Sequence, residues 1–145
     1  MQRKLTVESK DIHDDSDCYV IAEIGHNHQG DINKAKELFL AAKECGADAV
    51  KLQKRDNRSL YTAELYDSPY ESEASYGATY GEHREALEFG RDEYLELIQY
   101  ARQLELTMLA TAFDFNSADF LADIDIPMYK VASGDLKNTP LLKYL

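Results

Sequence analysis

The sequence predicts an α/β fold built on a parallel sheet. Two observations carry the prediction. Short apolar strands alternate with amphipathic helical runs, strand then helix, about four times along the chain. Each strand also offers a polar side chain near its C-terminal end, where α/β enzymes place their chemistry. Four such units make half of an eight-stranded barrel; an open, doubly wound sheet is the alternative.

Residues 1–18 are polar and irregular, and are expected to be an N-terminal extension. Within them Leu5-Thr6-Val7 is a candidate short strand, and the acidic run from Asp11 to Asp17 is expected to be a loop. The first predicted strand of the sheet is Tyr19 to Gly25. The loop His26-Asn27-His28-Gln29-Gly30 follows, and Asp31 is the expected N-cap of a helix running to about Cys45. Ile32, Ala35, Leu38, Phe39 and Ala42 share one face of that helix, and Cys45 is expected there as a buried thiol. Gly46 is the expected helix stop. In the second strand, 49–53, Val50 and Leu52 point one way and Ala49, Lys51 and Gln53 the other.

Residues 54 to about 90 lack a clear period and are rich in Tyr, Ser, Gly and Glu. A loop this long is functional or disordered, and its tyrosines argue against disorder. They are expected either to form a substrate lid or to cover apolar surface, and His83 with Arg84 and Glu85 is expected to be a solvated turn. A helix resumes near Arg91, with Asp92 and Glu93 in its first turn and Tyr94, Leu95, Ile98 and Ala101 facing inward. Strand three is Thr107 to Phe113; a short helix, about Ser117 to Ala122, follows the expected cap Asn116. Strand four is Met128 to Ala132, after which Thr139-Pro140 opens a last helix.

The net charge of −11 argues against non-specific nucleic-acid binding, but leaves room for a small anion in a local lysine cluster. No stretch approaches the ~20 apolar residues of a membrane span. The first residues, Met1-Gln2-Arg3-Lys4-Leu5, lack the apolar run of a signal peptide. Cys18 and Cys45 show no metal or disulfide spacing, which fits a reducing cytoplasm.

Parity makes Glu23, Lys51, Thr111 and Lys130 inward-facing, one on each of four consecutive strands. A lysine inside a covered sheet is costly without an anionic partner. Two lysines with hydroxyls suit a phosphate or carboxylate ligand. Ser133-Gly134 offers a further hydroxyl and a close backbone N–H, and Glu23 can orient a hydroxyl or move a proton. The alternative is a buried salt bridge of Glu23 with Lys51 or Lys130 that serves only the fold. His26 and His28 suggest a metal pair, but loop histidines bonded to the backbone are the simpler reading.

Three runs carry a resemblance. They are Ile21-Ala22-Glu23-Ile24-Gly25-His26-Asn27-His28-Gln29-Gly30, Gly46-Ala47-Asp48-Ala49-Val50-Lys51-Leu52-Gln53 and Tyr129-Lys130-Val131-Ala132-Ser133-Gly134-Asp135. Together with Thr79-Tyr80-Gly81-Glu82-His83-Arg84 they resemble the sialic acid synthase family. The resemblance implies the N-terminal part, about four βα units, of a truncated TIM (β/α)8 barrel over residues 19–145. It also implies condensation of phosphoenolpyruvate with an N-acylated amino sugar such as N-acetylmannosamine, giving a nonulosonic (sialic) acid and phosphate. By position, Lys51, Thr111, Lys130, Ser133 and Asp135 match phosphoenolpyruvate-binding groups, and Glu23 matches the acid near the reacting end of the sugar. Gln53 and Asn27 lie in the same motifs without an assigned role. Asp135 stands where many members carry glutamate, and Ala112 where many carry proline.

The family also implies a divalent metal, manganese or magnesium, whose ligands lie beyond residue 145, a C-terminal antifreeze-like domain beyond the same point, and a homodimer when complete. The chain is therefore expected to be a fragment. By itself it is expected to be inactive and prone to associate through open strand edges and an inner face holding Ile21, Leu109 and Met128. Two alternatives stand beside this reading: a Schiff-base lysine aldolase on the same barrel, and a non-catalytic half-barrel that pairs with another half.

Overall fold

The computed structural model describes residues 3–145; Met1 and Gln2, the start of the expected extension, lie outside the described residues. The fold is α/β. Strands β3 (Ile21–Gly25), β4 (Ala49–Lys54), β5 (Thr107–Ala112) and β6 (Tyr129–Lys130) form one parallel sheet in sequential order. A separate antiparallel hairpin, β1 (Lys4–Val7) and β2 (Lys10–His13), precedes them. It takes up part of the acidic run expected to be a loop, because Thr6 and Lys4 both bind Asp11 across the pair. The hairpin is tied to the sheet by the Lys10–Asp48 ion pair and by the Thr107 hydroxyl, which donates to Glu8 at 2.6 Å.

Helices α1 (Ile32–Glu44), α5 (Arg91–Gln103) and α6 (Phe115–Asp123) contribute to one core. Phe39, Leu97 and Leu121, one from each helix, are fully buried there. They pack with Val50 and Leu52 of β4 and Met108, Ala110 and Ala112 of β5. Alternate strand residues therefore face the helices, and the residues between them face the opposite side. Burying a side chain of this size contributes about 1.5–3 kcal/mol, and Leu97→Ala is expected to cost about 2–5 kcal/mol.

Several boundaries differ from the sequence expectation for local reasons. Asp31 caps α1 as expected, accepting from the Asn33 N–H at 2.8 Å. Cys45 ends that helix as its C-cap and is exposed, so it is no buried thiol. On α5 the buried stripe is Tyr94, Leu97, Ile98 and Ala101; Leu95 is one step off that stripe and is 37% exposed. The cap of α6 is Asp114, not Asn116: its carboxylate accepts from the Ser117 N–H at 2.7 Å. Asn138, rather than Thr139, caps α7 (Thr139–Tyr144), with Pro140 in the first turn. Strand β6 is two residues long and pairs with β5 at the edge of the sheet.

The long insertion is ordered into three short helices, α2 (Asn57–Leu60), α3 (Ala63–Tyr66) and α4 (Tyr80–Glu85). Thr79 and Glu82 close a reciprocal capping box on α4. The tyrosines pack on one another: Tyr61 and Tyr70 both meet Tyr80 edge to face, with ring centroids 5.1 and 5.6 Å away. His83 is buried among them rather than solvated, 4.5 Å from the Tyr70 ring, and its Nδ1 accepts from the Tyr76 N–H.

Candidate active site at the strand ends

The register decides which side chains meet. Glu23 is level with Lys51, Gln53 with Thr111, and Thr111 with Lys130. All therefore lie on the face away from the helices. Lys51 is buried, and its ammonium pairs with the Glu23 carboxylate and donates to the Thr111 hydroxyl at 3.1 Å. The Glu23 side chain is half exposed, so it stands on the solvent side of the pair. The salt bridge of the alternative reading does form, between Glu23 and Lys51, but with one partner open to water. An ammonium has three donors, and two are used here, which leaves a third for a ligand.

The remaining expected residues fall at the same end of the sheet. Lys130 closes β6 beside Thr111. Ser133 opens a 3-10 turn, Ser133–Lys137, and is exposed; Asp135 in the same turn accepts from the Asn138 side chain at 3.1 Å. Asn27 donates its side-chain amide to the Ile24 carbonyl at 2.9 Å, which makes it a turn residue rather than a free ligand group.

Gly25 matters for the site's shape. It sits at φ +56, a left-handed conformation that glycine adopts without strain. A Cβ there would stand 3.3 Å from a Glu23 carboxylate oxygen and 3.5 Å from the Gln53 side-chain nitrogen. The Glu23 and Gln53 side chains therefore flank one small space.

Behind this row lies a second cluster that the sequence did not announce. Glu88 is nearly buried; its carboxylate accepts from the Lys54 ammonium and the Arg55 N–H, each at 3.3 Å, and lies 3.3 Å from His26 Nε2. Burial pushes Glu88 up, but the His26 and Lys54 contacts outweigh it and hold its carboxyl below the ordinary range. Arg55 donates to the Gln53 side-chain oxygen at 2.8 Å and stacks on the Phe113 ring at 3.8 Å. The one signal available was Glu88 itself, a charge set between the buried residues Leu87 and Phe89 just before a helix.

His28 is buried and stacked on Phe89 at 4.1 Å, and its Nδ1 accepts from the Gly30 N–H at 3.1 Å. This is the backbone-bonded histidine of the simpler sequence reading. Burial and the neighbouring His26 lower its pKa from 6.5 to about 4. Among the described residues, no group of three or more His, Cys, Asp and Glu side chains gathers to hold a metal ion. No helix among them is long and apolar enough to cross a membrane.

A model of the NeuB family matches residues 38–145. The chain belongs to the NeuB family. Its NeuB relatives include N-acetylneuraminate-9-phosphate synthase of Mus musculus, 44% identical over 126 residues, covering 87% of this chain and 35% of that protein. The Homo sapiens protein of the same name gives the same identity and coverage. The fold resembles the solved N-acetylneuraminic acid (sialic acid) synthetase of Leptospira borgpetersenii serovar Hardjo-bovis in complex with citrate. The TM-score is 0.79 at 26% identity, over 99% of this chain and 46% of that one. The chain thus spans about a third of the length of the curated NeuB relatives it matches.

Proposed function

We propose that this chain supplies the strand-end half of an active site that condenses phosphoenolpyruvate with an N-acylated amino sugar, N-acetylmannosamine being the first candidate. The products are a nonulosonic acid and phosphate. The single observation that supports this best is the contact of Lys51 with both Glu23 and Thr111, beside Lys130, in a chain of the NeuB family.

The chemistry joins the methylene carbon (C3) of phosphoenolpyruvate to the aldehyde carbon of the sugar; water adds at C2 and phosphate leaves. Lys51 and Lys130 act as point charges on the phosphate and carboxylate. Thr111 holds the Lys51 ammonium in place, and Ser133 adds a hydroxyl at the mouth. Asp135 braces the turn that carries Ser133 through its contact with Asn138. Glu23 moves a proton at the sugar oxygen, which its half-exposed position allows. A divalent ion, manganese or magnesium, would supply Lewis-acid chemistry at the sugar aldehyde, held by ligands other than the described residues.

The sequential strand order and the shared helix face favour closure into a (β/α)8 barrel over a doubly wound sheet. Residues 19–145 are proposed as part of that barrel, and residues 3–18 as an extension bracing it. Taken alone, the segment is proposed to be inactive. Val20 and Ile21, at the start of β3, are half exposed, whereas Leu109, expected on the open inner face, is buried. A cytoplasmic homodimer remains the proposed setting for the whole enzyme.

The test is phosphate release from phosphoenolpyruvate and N-acetylmannosamine by the protein at its native length. Lys130→Ala is expected to lower turnover by at least about a hundredfold. Unchanged turnover would reject the site.

A further inference from the structure

We infer that Arg55 is a positioning residue of this site, acting through Gln53. The inference rests on the function proposed above and adds to it a residue outside the row of strand-end groups.

Arginine is a donor with no acceptor capacity. The amide atom 2.8 Å from its guanidinium must therefore be the Gln53 oxygen, which fixes the otherwise ambiguous flip of that amide. With the oxygen held, the Gln53 NH2 is presented on the other side, into the space beside Gly25 that it shares with the Glu23 carboxylate. A donor next to an acidic group in one small space suits a hydroxyl- and carbonyl-bearing sugar better than a polyanion.

The guanidinium is itself immobilised. It lies 3.8 Å over the Phe113 ring and 3.5 Å from His26 Nε2, while the Arg55 N–H is bound by Glu88. His26 and Phe113 directly follow β3 and β5, and Glu88 lies just before α5, so three separate segments hold Arg55, and with it Gln53, rather than one loop. Lysine could not replace this function, because it lacks the planar fork that stacks and donates at once.

The experiment compares Arg55→Ala, Arg55→Lys, Gln53→Ala, Gln53→Glu and the Arg55→Ala/Gln53→Ala double variant at native length, varying each substrate in turn. Arg55→Ala is expected to lower kcat/KM for the amino sugar about tenfold and to leave the KM for phosphoenolpyruvate within about twofold. Arg55→Lys should not restore it. The double variant should be no worse than Gln53→Ala, since the two residues act as one unit. Gln53→Glu keeps an acceptor for Arg55 and removes the donor, so it should show the same sugar-side loss in a folded protein. Additive losses, equal losses for both substrates, or rescue by lysine would overturn the inference. If the unaltered protein fails to turn over these substrates, the functional proposal falls, and a crystal structure of Arg55→Ala decides the positioning alone. The Gln53 amide should then be turned or disordered; an amide left unmoved would overturn it.

Discussion

The Lys51 ammonium donates to the Thr111 hydroxyl at 3.1 Å, across the β4–β5 pair, with both side chains buried. Burial makes this contact matter, because a buried ammonium that loses an acceptor has no water to replace it. Thr111→Val keeps the shape and removes the hydroxyl. It is expected to destabilise the chain by about 1–2 kcal/mol, read as a lower urea midpoint with an unchanged slope. An unchanged midpoint would mean that Lys51 does not depend on Thr111.

His28 gives the fold an acid limit. In the folded chain its pKa is lowered to about 4, first by burial and then by His26, while Glu88 and the Gly25 carbonyl pull weakly the other way. Unfolded, it titrates near 6.5. The unfolded chain therefore binds more protons between these values, and stability rises with pH across that window. The full contribution is present above about 6.5 and is lost as pH falls toward 4, a change of about 3 kcal/mol. His28→Gln should flatten the dependence of unfolding free energy on pH between about 4 and 6.5. A slope equal to that of the unaltered protein would refute the assignment.

Gly30 marks a close approach between the loop after β3 and the long insertion. A Cβ at this position would fall 2.3 Å from the Ala86 carbonyl oxygen, and φ is +75. Neither the backbone oxygen nor the left-handed conformation can yield cheaply. Gly30→Ala is expected to lower stability by about 1–3 kcal/mol, measured by thermal unfolding. A melting temperature equal to that of the unaltered protein would show that this packing is loose.

How much of this was legible in the sequence differs by residue. The strands were readable because Val50 and Leu52 alternate with Lys51 and Gln53, and the same alternation placed Glu23, Thr111 and Lys130 on one face. Asp31 and Gly46 bounded α1 by ordinary cap chemistry. In sequence Asn116 is as good a cap as Asp114; only the structure shows the Asn116 amide donating to the Asp56 carboxylate at 2.7 Å. His83 read as solvated because its neighbours Arg84 and Glu85 are charged, yet the Tyr70 and Tyr76 rings bury it. Arg55 and Glu88 are 33 residues apart, and no local pattern reveals a contact over that distance.

Lys51 and Lys130 are proposed to hold one small anion between them. Titration calorimetry of phosphoenolpyruvate into the protein at native length tests it most directly, alongside Lys51→Ala and Lys130→Ala. Each substitution is expected to weaken binding by at least about tenfold, the two single losses sharing one site. Binding of phosphoenolpyruvate that is unaffected by either substitution would contradict the claim.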